Sequence, residues 1–322
     1  MKMKKLKPLL PVALLCFIVN APSRVASQSE DAKVEIKVSH LSGSVRMLTA
    51  KGSADGGSVN MAFSSGTDGA LLVDTLLDSW AERIRPALGD VSGGAIKFII
   101  NTHWHTDHVG GNNLFGREAV IIAHPNVRKR LMTEQTVPWQ NAPLSPQPPR
   151  AWPVITFDQS ASIYFNGEEI RLIHFPNSHT DGDTVVHFTG SKVVCMGDTV
   201  FMVAGALMAS PGLWNGGDAE SLAKNLEELI PQLPPDVKVV PGHGRLMTLN
   251  DLKACNRILT GTIDFVRQRM AAGKKPDEMK AEGLPREFES LGDWKLPKKQ
   301  WIEVVYKSLA QKQGAGSGND ER

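Results

Sequence analysis

Cysteine is scarce: there are three in 322 residues, and Cys16 falls in the first 27, leaving only Cys195 and Cys255. Two cysteines build no disulfide framework, and the sequence leaves open whether this pair is bridged. There is no Gly-X-Y period, no heptad run and no short-period repeat, which excludes collagen-like, coiled-coil and solenoid architectures. Nor is there an excess of either charge. Lys and Arg number 36 against 34 Asp and Glu, and five of the bases (Lys2, Lys4, Lys5, Lys7 and Arg24) lie in the first 27 residues, which hold no acid. The remaining 31 bases face 34 acids, a balance that argues against a nucleic-acid binder drawn by bulk positive charge. No apolar stretch reaches the roughly 20 residues that cross a bilayer. What is present is an apolar fraction of 41%, enough for a sizeable packed core and too much for a disordered chain.

The basic start has the form of an export signal over residues 1–27. Residues 1–7 are the positive segment, 9–19 an apolar run interrupted by Pro11, and Val25, Ala26 and Ser27 supply small residues for cleavage near Gln28. Leu15 is bulkier than a lipid-attachment site at Cys16 accepts. The expected location is the periplasm or the exterior, with no stable membrane insertion after cleavage. Residues 28–272 are expected to form one catalytic domain, 273–312 a helical extension and 313–322 a disordered Gly/Ser-rich tail.

Hydrophobic periodicity gives the elements. Val34, Ile36 and Val38 alternate as in a strand, 45–49 continues the pattern, and Asp55-Gly56-Gly57 reads as a hairpin turn. Short apolar runs at 70–74 and 96–101 predict buried strands around a helix over 79–88. Further strands are expected at 121–123, 162–165, 169–175, 184–188, 192–196 and 237–240, and helices at 125–134, 219–230, 250–270 and 298–312. Residues 136–153 crowd six prolines around Trp139 and Trp152; this is either a stiffened surface loop or a flap over a substrate.

The chemistry concentrates in Asn101-Thr102-His103-Trp104-His105-Thr106-Asp107-His108-Val109-Gly110-Gly111-Asn112. His103, His105, Asp107 and His108 put four metal-ligand side chains into six residues at a predicted strand end. Such a density of imidazole and carboxylate has no use in an apolar core, and the spacing lacks the paired cysteines of a structural zinc finger. His179 follows in a turn between two strands. Asp198 comes after a glycine that permits a sharp bend, and His243 lies in Pro241-Gly242-His243-Gly244 just past another strand. His40, His124, His174 and His187 are isolated and read as ordinary polar residues.

His-x-His-x-Asp-His, a later His, a Gly-Asp and then Pro-Gly-His-Gly together resemble the metallo-β-lactamase superfamily over about residues 33–270. The resemblance implies an α+β fold, a four-layer αβ/βα sandwich with metals at one edge. It implies that His103, His105 and His179 hold a first zinc, that Asp107, His108 and His243 hold a second, and that Asp198 bridges them. The ligand types also admit iron or manganese. It further implies a hydrolase in which Asp107 orients a metal-bound hydroxide. Asp74, ending a buried strand, is a partner for a ligand histidine.

The flanking residues 215–219 resemble those of secreted β-lactam-cleaving members, where Asn215 matches a residue that polarises the lactam carbonyl. The leading expectation is therefore a small-molecule hydrolase opening a cyclic amide; an exported enzyme of that kind meets an antibiotic before the drug reaches its targets. Two departures favour an alternative. Asp198 stands where the most similar lactamases have cysteine, and Phe201 replaces the lysine that anchors a substrate carboxylate, with Arg128, Arg130, Arg150 and Arg245 as the available substitutes. Asp107-His108 with Asp198 is similar to glyoxalase II-like thioesterases and to lactonases. Redox members of the superfamily often lack one of the ligand positions, and all seven are present here.

Overall fold

The computed structural model describes residues 34–52, 58–89, 95–138, 141–203, 206–209, 211–288 and 298–316. The expected leader, the 55–57 turn and Trp139 lie outside these residues. The strands are β1 (Glu35–Ser42), β2 (Val45–Lys51), β3 (Ser58–Gly66), β4 (Gly69–Val73), β5 (Ile96–Ile100), β6 (Val120–Ala123), β7 (Ile155–Thr156), β8 (Ser160–Phe165), β9 (Glu168–Phe175), β10 (Asp183–Phe188), β11 (Val193–Val203), β12 (Ala206–Ala209), β13 (Lys238–Gly244) and β14 (Met247–Thr248). The helices are α1 (Ala81–Ala87), α2 (Thr106–Val109), α3 (Asn112–Phe115), α4 (Pro125–Met132), α5 (Ala219–Leu229), α6 (Leu249–Ala271), α7 (Pro276–Glu282) and α8 (Lys298–Gly316).

The expected four layers are present, and α+β is the class. The strands run β7-β6-β5-β4-β3-β13-β11-β10-β9-β8 in one path, with β1 added to β2 and β2 to β3. The two halves of the sandwich are thus a single curled sheet, joined where His243 of β13 pairs with Val59 of β3. Leu41, Val73 and Ile122 of one half meet Leu172, Phe188 and Val240 of the other in the apolar layer between them. Outside the first half, α1 packs Ala81 and Ile84 onto Leu72 and Ile99. Outside the second, α5, α6, α7 and α8 share one core that includes Leu226, Leu259, Met279, Trp301 and Val305. Burying alternate or helically spaced apolar residues on both sides of each half-sheet is what fixes the layer order.

Three expectations need correction. The strand predicted to stop at Met196 continues to Val203, because register shifts around Gly197 let it bend and resume pairing with β13. Asp198 therefore sits within a strand rather than after one, and His243 likewise lies inside β13. The last helix runs to Gly316, past the expected end at 312, so the tail does not begin at 313. Cys195 and Cys255 are buried far apart, the first in the layer between the half-sheets and the second under the helices. Among the described residues no helix is long and apolar enough to cross a membrane.

Candidate metal centre

The first segment of the site is a turn pinned at both ends. After β5 the chain turns at 101–105 and enters α2 with His105 as N-cap, so His103 and His105 precede the helix while Asp107 and His108 occupy its single turn. The Asn101 and Asn112 amides donate to one another at 3.1 and 2.8 Å, closing the turn into a buried loop. His179 is held by Asp183, whose carboxylate accepts from the His179 and Thr180 backbone N–H at 2.6 and 2.7 Å and from the Thr180 hydroxyl at 2.7 Å. Asp198 follows Gly197, which has φ +52°; a Cβ there would stand 2.7 Å from Thr102 Oγ1. At Gly242 a Cβ would collide with Asp198 Oδ1 itself, so the carboxylate fits only against bare backbone.

These segments converge. His103, His105, His179 and Asp198 form one donor cluster, and Asp107, His108, Asp198 and His243 a second, with the ligand atoms of each within 4.8 Å of one another. Asp198 belongs to both. Its Oδ2 is 3.6 Å from His103 Nε2, 3.6 Å from His179 Nε2 and 3.3 Å from His243 Nε2, while its Oδ1 is 3.1 Å from His108 Nε2. Asp107 Oδ2 lies 3.3 Å from His243 Nε2 and 3.7 Å from His108 Nε2, and its side chain is 30% exposed. His179 Nε2 and His105 Nδ1 are 3.1 Å apart.

The surrounding hydrogen bonds fix which nitrogen of each ring faces the centre. Asp74 accepts from the Thr102 backbone N–H at 2.8 Å, from the Thr102 hydroxyl at 2.7 Å and from His108 Nδ1–H at 2.9 Å. With its proton given to Asp74, the Thr102 oxygen accepts from His103 Nδ1–H at 3.0 Å. One carboxylate thereby sets the tautomers of a histidine in each cluster. His243 Nδ1–H donates to the Ser58 carbonyl at 2.8 Å. Of the eight buried side-chain nitrogen and oxygen atoms that make no well-formed hydrogen bond among the described residues, three lie in the donor clusters: His103 Nε2, His108 Nε2 and Asp198 Oδ1, the last two facing each other at 3.1 Å. Leaving such atoms poorly satisfied is costly, about 1–3 kcal/mol each, and these three converge on one centre. The residues present therefore fit a bound metal.

Electrostatics divides the rings. Burial, reinforced by the cationic His108, holds His103 well below the usual imidazole range. Burial and the neighbouring His179 push His105 down to about 3. For His108 and His243 burial acts in the same direction but is outweighed by the carboxylates, Asp198 foremost, which hold His108 well above its ordinary value and His243 at about 9. Asp198 and Asp107 are held ionised against burial, Asp198 chiefly by His243 and His108, Asp107 chiefly by His108.

Asn215 does not take the place expected of it. It is 1% exposed, and its amide oxygen accepts from His105 Nε2–H at 2.7 Å while its nitrogen donates to the His179 carbonyl at 2.8 Å and to that of Gly212. It orients a ring instead of facing the open side, and it leaves His105 Nδ1 for the centre. The carbonyl-polarising role read from its sequence position is thereby corrected. Arg130, one of the arginines read as substitutes for the anchoring lysine, is engaged elsewhere: its fork donates to Asp181 at 2.7 and 2.9 Å and to the Asn215 carbonyl at 2.8 Å. Arg128 and Arg150 are likewise engaged, with Pro153 and Asn113. Phe201 packs on His243 at 5.1 Å and His179 at 6.3 Å between ring centroids. The Pro-rich loop is tied to α4, Gln147 N–H donating to the Leu131 carbonyl at 2.8 Å, and with Trp104 it walls a cavity of about 380 Å³. His124 and His174 stack on each other at 3.8 Å, outside both clusters.

Layers of helix on a curled sheet, with seven ligand-type side chains at one edge, define a metal-dependent hydrolase. The family model described as the metallo-beta-lactamase superfamily matches residues 54–243, and the chain belongs to that superfamily. A hydroxyacylglutathione hydrolase of Gloeobacter violaceus is 29% identical over 199 residues, covering 59% of this chain and 68% of the relative. Among solved structures, a metallo-beta-lactamase from Pontibacter korlensis matches with TM-score 0.57 and 20% identity over 70% of this chain and 99% of its own. The sec-alkylsulfatase Pisa1 from Pseudomonas sp. matches with TM-score 0.65 and 14% identity over 84% of this chain and 50% of its own. At these identities the two structures speak for the fold alone.

Proposed function

We propose that the protein is an exported dinuclear zinc hydrolase that cleaves thioesters. His103, His105 and His179 would hold one zinc, Asp107, His108 and His243 the other, with Asp198 shared. The observation that carries this is the position of Asp198, one carboxylate within 3.6 Å of imidazole nitrogens from both clusters. Bound there, zinc lowers the pKa of a coordinated water toward about 7 and acts as a Lewis acid on a carbonyl oxygen. The chain's own residues do the rest. Asp107, ionised and partly exposed, accepts a hydrogen bond from the attacking water and orients it. Phe201 shields the His179–His243 side from bulk water. In the net reaction the acyl C–S bond breaks, a C–O bond to water forms, and the water's second proton goes to the departing thiolate.

Thioesters are favoured over cyclic amides because Asn215 is turned onto His105 and an apolar Phe201 occupies the place of the anchoring lysine. The hydroxyacylglutathione hydrolase relatives point the same way. Cyclic-amide opening keeps a weaker claim from the lactamase likeness of the fold. The zinc-loaded protein, offered S-lactoylglutathione, an acyl-homoserine lactone and a chromogenic cephalosporin, is expected to turn over the first fastest. Clear cephalosporin hydrolysis with an inert thioester would reverse the assignment.

The charge state of the rings gives a second expectation. At pH 7 the metal-free protein carries protons on His108 and His243, both raised, and none on His103 or His105, both lowered. A raised folded-state value means that His243 contributes stability that is complete below its ordinary 6.5 and is lost as pH rises through about 9. Zinc needs neutral imidazole, so loading at pH 7 is expected to release about two protons per chain, measurable with an indicator dye in weak buffer. Release of none would contradict the ion pairing around Asp198.

A further inference from the structure

The His105 ring is boxed in on three sides. Trp214 stacks on it at 5.3 Å between ring centroids with the planes 5° apart, Trp104 meets it edge-on at 4.9 Å, and the Asn215 amide oxygen accepts from its Nε2–H. The box is assembled from distant parts of the chain. Trp104 stands in the turn before α2, whereas Trp214 and Asn215 belong to the short 3₁₀ turn Leu213–Asn215, with Asn215 110 positions after His105.

One side chain ties these parts together. Arg130, on α4, donates from Nη2 to the Asn215 carbonyl at 2.8 Å and to Asp181 Oδ2 at 2.9 Å, from Nε to Asp181 Oδ1 at 2.7 Å and from Nη1 to Gln135 Oε1 at 3.1 Å. Its guanidinium carbon lies 5.4 Å from the centroid of the Trp104 ring. Asp181, close behind His179 in the chain, closes the circuit: its backbone N–H donates to the same Asn215 carbonyl at 3.1 Å. The guanidinium thus touches two of the three walls around His105 and the turn that carries His179. The Arg130 and Asp181 side chains are only 20% and 29% exposed, so this bidentate, charge-assisted contact is partly shielded from water and correspondingly firm. Lysine cannot reproduce the planar fork.

We propose that Arg130 is a positioning residue for the first zinc. It anchors the backbone from which the Asn215 amide reaches His105 and braces Trp104 from behind, so that His105 presents Nδ1 to the centre. The proposal rests on the zinc assignment above and adds a selectivity to it. The hydrogen bonds of Arg130 among the described residues run to Asp181, Asn215 and Gln135 and to none of Asp107, His108 and His243.

The test compares the full-length wild type with Arg130→Lys and Arg130→Met. In competition with a chromophoric chelator, both variants are expected to bind the first zinc about tenfold more weakly and the second within about twofold of wild type. Cobalt(II) in place of zinc shows by its visible spectrum which site empties. A second measurement uses no metal. In the metal-free protein with ¹⁵N-labelled histidine, the His105 Nε2–H is expected as a protected imidazole proton, exchanging with water at least about tenfold faster in both variants. Equal zinc losses at both sites, with a diminished near-ultraviolet circular dichroism spectrum, would make Arg130 a residue of general stability and overturn the proposal. Wild-type zinc affinity and an unmoved ring proton in Arg130→Lys would overturn it as well. A wild type that takes up no zinc, with a ring proton that still responds to both variants, overturns the metal reading and leaves the hold of Arg130 on His105 standing.

Discussion

Replacing Asp198 with alanine is expected to lower kcat by at least about a thousandfold and to reduce bound zinc from two per chain to one. The asymmetry follows from the distances. Asp198 Oδ1 and Oδ2 stand 3.1 and 3.3 Å from His108 and His243, but 3.6 Å from His103 and His179. The second cluster also relies on this carboxylate to hold its imidazoles in place when no metal is bound. The first keeps three histidines oriented by Thr102, Asn215 and Asp183. Metal analysis after dialysis, beside steady-state kinetics, gives the answer. Two zinc ions retained per chain would remove Asp198 from its shared position.

Asp74→Asn should weaken zinc binding in both clusters at once, by about 10- to 100-fold each, with the fold intact. The backbone at Asp74 has φ +66°, a conformation that asparagine tolerates as well as aspartate does. What changes is the proton inventory. An amide NH₂ facing His108 Nδ1 donates where the carboxylate accepted, so the ring proton moves to Nε2, the nitrogen that faces the centre. The Thr102 hydroxyl loses its strong acceptor and no longer presents a lone pair to His103 Nδ1–H. Competition with a chromophoric chelator reads the affinities, and an unchanged near-ultraviolet circular dichroism spectrum separates this from unfolding. Affinities within twofold of wild type would show that Asp74 does not set the tautomers.

The ligand-type residues were legible in the sequence because their chemistry allows few substitutes: four stand in six residues, and the other three follow turns or glycines. The layer order was legible too, since buried runs such as 70–73 and amphipathic runs such as 249–271 have only one way to cover one another. The direction of the Asn215 amide was not legible. It depends on the His105 ring and the His179 carbonyl, 110 and 36 positions earlier in the chain, and such contacts leave no local pattern. The continuation of β11 was hidden for a related reason. Gly197 reads as a stop, and only pairing with β13 shows that the strand bends and goes on. The end of α8 was misjudged because Gln313–Gly316 has the composition of a tail, while the helix started by Trp301 and Val305 on the α6 surface carries on through it.

The family match ends at residue 243, yet the loop behind His105 is fastened much later. Ser308 on α8 donates to Asp218 Oδ2 at 2.7 Å and accepts from the Ala219 backbone N–H at 2.9 Å, and the Asp218 backbone N–H in turn donates to the Asn177 carbonyl beside His179. A ribosome making this protein exposes every ligand-type side chain some sixty residues before the bolt that secures two of them is translated.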